Sequence, residues 1–239
     1  MDDVDGAPPY SLDKAQCVRS RGMFFPKHPD IIRGNVRLSL RRHAYEHYES
    51  EAALKVVRAG DIVLELGGGI GYMSTLVATK QAIDHVHVFE ANPRLIPYIH
   101  DVHKVNKVTN ATVHNAILGA RKGKAKFHVR KNFLASSLSE IKGRPAIAIE
   151  DIDVVNARAT IKSIAPTVLI CDIEGAEVDV IPRLDLSSVR VAIVETHPQW
   201  IGPKGINTVF QAFMDAGLAY SHRGSVRKVV CFRRDWPLK

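Results

Sequence analysis

Apolar residues along the chain fall into short runs and alternations set between turn formers, and the pattern changes period repeatedly. Ile62 to Leu66 is a nearly continuous apolar run interrupted only by Glu65, and a glycine-rich turn separates it from the helix-compatible stretch Tyr72–Lys80. Such a run reads as a buried parallel strand, a tight loop and a helix start. His85–Glu90 alternates polar and apolar residues and ends in an acid, as a second strand should. Asn92-Pro93 then opens a helix running to Asn106, with proline in its favoured first turn. Ala111–Ile117 reads as a single third strand, Thr167–Asp172 as another buried strand with a helix beginning near Gly175, and Val189–Glu195 as a fifth. Lys204–Ala216 is helical, and Leu218–His222 with Lys228–Arg233 form a closing pair of strands. Upstream, Ala44–Arg58 places Tyr45, Tyr48, Ala52, Leu54, Val56 and Val57 on one helical face, with Glu46, Glu49 and Glu51 largely off it. Strands alternating with helices predict a doubly wound α/β domain around a mostly parallel sheet.

Other stretches carry weaker patterns. Residues 1–20 show no periodicity and are expected to be mobile. Met23–Asn35 mixes apolar pairs with turn formers, which suits either a lid over a cleft or a strap on the outside of the sheet. The division that follows is a small N-terminal extension over residues 1–44 and one α/β domain over residues 45–239. Lys124–Arg130 alternates as a strand, Pro145–Ile149 is a short apolar run, and the serine-rich Asn132–Glu140 between them reads as an inserted hairpin or plain surface loop.

Composition sets limits on partners. With 46% hydrophobic and 24% charged residues in 239, the chain suits one large domain with a small appendage. No apolar run reaches the roughly 20 residues needed to span a bilayer, and the acidic, proline-rich start does not resemble a signal peptide. Cys17, Cys171 and Cys231 lie far apart without a C-x-x-C pair, which fits free thiols in a cytoplasmic setting and gives no zinc site. The net charge of +8 is concentrated around Arg33–Arg42, Arg121–Lys131 and Arg223–Arg234. That surface attracts anions. Aromatic residues make up only 7% and do not interleave these clusters, so a stacking platform for single strands is the poorer expectation. An anionic small-molecule acceptor is the favoured partner, nucleic acid the less favoured, and homo-oligomerisation is left open.

Candidate chemistry concentrates at strand ends. A dinucleotide fingerprint needs G-x-G-x-x-G after the first strand, but counting from Gly67 the third glycine falls on Tyr72, and from Gly69 on Ser74. The pattern present is Glu65-x-Gly67-x-Gly69-x-Gly71. It resembles motif I of class I S-adenosylmethionine (SAM) methyltransferases, where a carboxylate meets a cationic cofactor lacking pyrophosphate. Glu90, at the end of strand two, is placed to accept hydrogen bonds from ribose hydroxyls, with Asn92 beside it. Asn115 and Ala116, near the end of strand three, lie where an adenine edge is met in this architecture. Asp172, Glu174 and Glu177 surround Gly175 at the end of the Thr167–Asp172 strand. Open α/β sheets bind ligands at that edge. Glu177 also fits a helix N-terminus, which explains Asp172 poorly. His197 follows the fifth strand and belongs to the same edge.

VLELGGGIGYMS, VHVFEANP, ASSL, LICDIEGAEVDVI and VAIVETHP, in that order, resemble the FkbM family of SAM-dependent methyltransferases over roughly Tyr45 to Tyr220. The resemblance implies a Rossmann-like sheet of seven strands, mostly parallel with an antiparallel last strand, SAM as cofactor, and methyl transfer usually to oxygen. The chain departs from the family in reading Gly67-Gly68-Gly69-Ile70-Gly71 where G-A-N-x-G is common, and Glu65 where aspartate is common. On this reading Glu65, Gly67, Gly69, Gly71, Glu90, Asn92, Asn115, Ala116 and Asp172 hold the cofactor. His197 or Glu174 serves as general base, and Asp172 positions SAM or the acceptor. No Asp-Asn pair follows strand five, so no metal is assigned. An NAD-dependent oxidoreductase, a nucleic-acid methyltransferase and a non-enzymatic SAM-fold module are the alternatives.

Overall fold

The computed structural model describes residues 8–130 and 145–235. The expected Asn132–Glu140 insertion lies outside them. In chain order, Val18–Ser20 (β1) and Met23–Phe25 (β2) form a short antiparallel hairpin, followed by Gly34–Arg41 (α1) and His47–Val56 (α2). The central region runs through Ile62–Leu66 (β3), Tyr72–Lys80 (α3), His85–Phe89 (β4), Ile96–Asn106 (α4) and Ala111–His114 (β5). Ala116–Gly119 (β6), Gly123–Val129 (β7), Ala148–Asn156 (β8) and Ala157–Ile164 (α5) come next. The chain closes with Val168–Cys171 (β9), Glu177–Val180 (α6), Val191–Glu195 (β10), Pro198–Asp215 (α7), Ala219–Tyr220 (β11) and Val229–Arg233 (β12).

Seven strands form the main sheet in the order β11-β12-β10-β9-β3-β4-β5. The pairs among β10, β9, β3, β4 and β5 are parallel, whereas β12 runs antiparallel to both β10 and β11. Successive parallel strands therefore point their carboxyl ends, and the acids and glycines that follow, to one edge. The strands at the centre read as continuous apolar runs because both faces are covered. Val63, Val86, Val88, Val168 and Ile193 pack on one side with α3 and α4, and Leu64, Leu66, Leu169, Ala192 and Val194 on the other with Val209 and Phe213 of α7.

Several elements differ from their sequence pattern. Ala111–Ile117 is two strands: β5 stays in the main sheet, Asn115 turns the chain, and β6 joins β8 and β7 in a separate three-stranded sheet. The run at Pro145–Ile149 continues to Asn156 as β8, whose alternate residues face solvent. The helix expected over Lys204–Ala216 starts earlier, at Pro198, with a break at Gly202 (φ +62°) before Pro203.

Residues 8–44 are an integral part of the packing. Val18, Met23, Phe25, Ile31, Ile32 and Leu40 are buried in the same core as β3 and β4. Phe25 stacks on Tyr72 at 5.3 Å. The backbone of Phe24 donates to and accepts from the side-chain amide of Asn106, at 2.8 and 2.7 Å, so that amide acts as a one-residue strand partner. Tyr98 donates to the Pro26 carbonyl, and Tyr10 to Asp101. The mobility expected of residues 1–20 from their lack of periodicity thus does not hold for residues 8–20, which long-range side-chain contacts fix in place.

Candidate active site

The glycine loop joins β3 to α3 at the sheet's carboxyl edge. Gly67 has φ +90°, and a Cβ there would lie 1.7 Å from the Asp172 carbonyl oxygen, so only glycine lets β3 and the end of β9 approach this closely. The space above Gly69 is different. A Cβ there would meet only the Tyr45 hydroxyl at 3.8 Å and Glu46 Oε1 at 4.0 Å. Tyr45 and Glu46, which the helical pattern placed inside a helix beginning at Ala44, instead precede α2, with Glu46 held at φ +43°. They roof the loop.

Glu65 is buried beneath the loop, and its Oε2 has no partner. Burial pushes its carboxyl up to about 8, against the Ser74 hydrogen bond and with the neighbouring Glu90 adding to the rise. Glu90 accepts from the Gly69 N–H at 2.8 Å and the Asn92 N–H at 2.6 Å, which pins the loop to the end of β4. The backbone N–H groups of Ala91 and Gly68 also act on this carboxylate. Burial raises Glu90 as well, while these backbone donors oppose the shift.

The remaining cofactor candidates divide. Asn92 is buried and its Oδ1 accepts from the Arg94 N–H, a turn-forming role. Asn115 donates to the carbonyls of Glu90 and Ala91, bracing the end of β4. Ala116 is drawn into the second sheet, paired with Asp153, and its side chain lies in the core. Asp172, by contrast, reaches the cleft. Its carbonyl touches the glycine loop, and burial, followed by repulsion from Glu195, drives its carboxyl well above the usual range even though His197 opposes this.

His197 is the centre of the second half of the site. It is buried, and its Nδ1 lies 2.7 Å from Oε1 of the equally buried Glu177. Glu177 was equally open to a helix-terminus role, and its contact with His197 is what the linear pattern could not show. The Gly175 N–H also donates to the same Glu177 oxygen at 3.1 Å. With Nδ1 committed, Nε2 points to Asp172 Oδ1 at 3.6 Å and Glu174 Oε2 at 3.5 Å. Burial disfavours the imidazolium, but Glu177, Asp172 and Glu174 outweigh it, and the His197 pKa is raised. Ligand atoms of Asp172, Glu195 and His197 lie within 4.8 Å of one another, close enough to share a metal ion, although no metal was assigned from sequence. Glu195 is also paired with Lys228.

Glu46, Glu49 and Glu195 are the acids that sequence patterning left out of the site. Glu46 is raised well above the carboxylate range, first by burial and then by Glu49, Asp172, Glu65 and Glu195. Glu49 is raised by burial, with Glu195 adding to it. The cleft thus gathers carboxylates from five segments of a chain whose net charge is positive.

No protein-family model and no curated protein sequence matches the chain. Solved structures do resemble it. Trm5b from Pyrococcus abyssi superposes with a TM-score of 0.50 at 13% identity, covering 90% of this chain and 54% of that one. TYW2 from Pyrococcus horikoshii, in complex with MeSAdo, gives 0.50 at 12% identity over 95% of this chain and 70% of that one. An FkbM methyltransferase from Methylobacillus flagellatus gives 0.47 at 15% identity over 85% and 56%, a level that leaves the FkbM resemblance a proposal. The chain spans about half the length of Trm5b. What these likenesses share with it is the fold, the mostly parallel α/β sheet of class I, Rossmann-like methyltransferases.

Proposed function

We propose that the chain is a SAM-dependent methyltransferase, with Glu65, Gly67, Gly69, Gly71, Glu90 and Asp172 around the cofactor and His197 as the proton acceptor. The observation that carries this reading is the acid-lined cleft at the glycine loop. Glu46, Glu65, Glu90 and Asp172 crowd there at a cost in mutual repulsion and desolvation. A cofactor bearing an ammonium and a sulfonium relieves that repulsion, and the unpartnered Oε2 of Glu65 suits such a cation. The pyrophosphate of NAD would face the same carboxylates, which weighs against the oxidoreductase alternative.

When bound, SAM would supply an electrophilic methyl carbon to a lone pair of the acceptor, with the neutral thioether as leaving group. The chain's own part is to orient and deprotonate that acceptor. Glu177 fixes the His197 tautomer by accepting from Nδ1–H, which leaves Nε2 to take the acceptor's proton at the cleft. Glu174, half exposed at the mouth, and Asp172 flank that nitrogen and position the incoming group. A bound cation nearby lowers the pKa of His197 and frees Nε2 to act as base. The group that enters is neutral or cationic, because an anion would meet Asp172, Glu174 and Glu195 together; this departs from the anionic acceptor suggested by net charge. A hydroxyl fits the arrangement, in line with the O-methylation implied by the family resemblance.

Calorimetric titration with SAM and, separately, NAD tests the cofactor. Micromolar SAM binding that weakens in Glu65→Gln, with no heat from NAD, is the expected result. Heat with NAD and none with SAM would overturn the reading.

A further inference from the structure

The charge of the chain is distributed in a way that its total conceals. Residues 8–44 carry eight Lys and Arg against two Asp, a net +6, while the chain as a whole is +8. Part of the basic surplus elsewhere is tied up: Lys124 and Lys126 pair with Asp153 and Asp151, and Arg58, Arg190 and Arg233 converge on Asp235. Helix α1 and its C-cap place three arginines close together. Its sequence, GNVRLSLR, contains no acid, and Leu40 turns one side into the core. Arg37 and Arg41, one helical turn apart and about 6 Å along the axis, share a face, and Arg42 adjoins them. None of the three forms an ion pair with a described residue; Arg41 and Arg42 are exposed, whereas Arg37 is half-buried.

This basic stretch lies close in sequence to the roof of the acidic cleft. Tyr45 is only three positions after Arg42, at most about 11 Å of chain, and Tyr45 and Glu46 roof Gly69. A small anion is ill served by that arrangement, since its charge would be held on α1 while its reacting atom had to enter among carboxylates. A polyanion with neutral groups hung at intervals fits both halves. Its phosphates lie along α1, and one neutral hydroxyl or base group enters the cleft. Reaching a single group in this way requires an unpaired strand, which is the ordinary state of RNA loops and ends, whereas duplex DNA must first be opened.

We propose that the arginine face of α1 docks the phosphodiester backbone of single-stranded RNA and that this RNA carries the methyl acceptor. The inference rests on the methyl-transfer reading for the reaction and on α1 for the partner. The transfer itself is the one given above: carbon–sulfur bond broken, carbon–acceptor bond formed, proton to His197.

The test is fluorescence anisotropy of an end-labelled single-stranded RNA with the full chain, between about 50 and 200 mM salt. Arg37→Glu/Arg41→Glu should weaken binding at least about tenfold and reduce the slope of log affinity against log salt by about 1.4, the value for two phosphates on a single strand. Arg37→Gln/Arg41→Gln should give a smaller loss in the same direction and guards against misfolding. Arg121→Glu/Lys122→Glu, an equal change of charge at an exposed turn, should leave affinity within about twofold. Equal weakening by both charge reversals would mean that net charge alone is at work and would overturn the proposal. So would wild-type binding to duplex DNA as tight as to RNA, or RNA binding untouched by the α1 variants. SAM calorimetry on the same proteins keeps the two readings apart: the α1 variants should bind SAM as wild type does, and a wild-type protein that binds RNA but not SAM would refute methyl transfer instead.

Discussion

Replacing Glu177 by glutamine probes the least solvated part of the site. In the wild type His197 Nδ1 and Glu177 Oε1 are 2.7 Å apart, with side chains 2% and 0% exposed. Burial alone would push the His197 pKa below its usual value, and the neighbouring carboxylates reverse that sign. Two full charges centred about 4 Å apart are worth about 4 kcal/mol at an effective dielectric of 20. Glutamine keeps an acceptor dipole, so roughly half of that should be lost, about 2 kcal/mol, and the His197 pKa should fall. The assay is a pH titration of the His197 ring nitrogens by NMR in wild type and Glu177→Gln. Stability gives a second readout with a defined sign. A histidine whose folded pKa is raised contributes stability that is fully present below its unfolded pKa and is lost as pH rises through the folded value. The melting difference between the two proteins should therefore be widest on the acid side and narrow above the wild-type pKa. A His197 pKa unchanged within about half a unit, in a folded variant, would show that Glu177 does not hold the imidazolium.

Other perturbations bear on the loop, the cofactor and the fold. Gly67→Ala combines a left-handed backbone with a Cβ 1.7 Å from the Asp172 carbonyl; a loss of about 3 kcal/mol should lower the melting temperature by roughly 6–12 °C and abolish SAM binding, and a melt unchanged within a degree or two would refute the close approach. Because Glu65 titrates at about 8, SAM affinity should rise about tenfold per pH unit below that value and level off above it. Calorimetry in buffers of different ionisation enthalpy should then show close to one proton released per SAM at neutral pH; Glu65→Gln should flatten the dependence, and a flat wild-type profile would exclude Glu65 as the ammonium's partner. Arg190→Ala strands the buried Asp61, which Arg190 holds at 3.0 Å through Nε. Burial opposes that carboxylate, but Arg190 and the other donors depress its pKa, so its contribution is present above the unfolded pKa and lost as pH falls through the folded one. Denaturant unfolding at neutral pH should register about 3–5 kcal/mol, and a loss below about 1 kcal/mol would mean solvent already shares the pair.

The strands that build the cleft were readable because burial on both faces writes itself as uninterrupted apolar sequence: β3, β9 and β10 needed no context. Strand β8 was not, since Glu150, Asp151 and Asp153 break its run and pair with residues far off in sequence, Arg94 on one side and Lys126 and Lys124 on the other. Ala111–Ile117 looked continuous because Asn115 turns the chain through bonds to the Glu90 and Ala91 carbonyls, which no local period encodes. The acids at positions 65, 90, 172 and 174 stood out by their place at strand ends. Glu46 did not, because on a helical wheel it is a solvated charge, whereas its left-handed backbone delivers it over the loop. Glu177 needed a partner twenty positions away in sequence, and only the convergence of β9 and β10 supplies it.

The side-chain clamp between Phe24 and Asn106 also bears on how the protein is made. The apolar segment around Met23 and Phe25 leaves the ribosome well before its hydrogen-bond partner, which lies 82 positions later, and Tyr98 must arrive before Pro26 is held. Chains are synthesised from the amino end at about 5–20 residues per second, so this hairpin spends several seconds with its core residues uncovered while β3, α3, β4 and α4 emerge. Newborn chains are thus most exposed to aggregation, and most dependent on chaperones, until α4 closes over them.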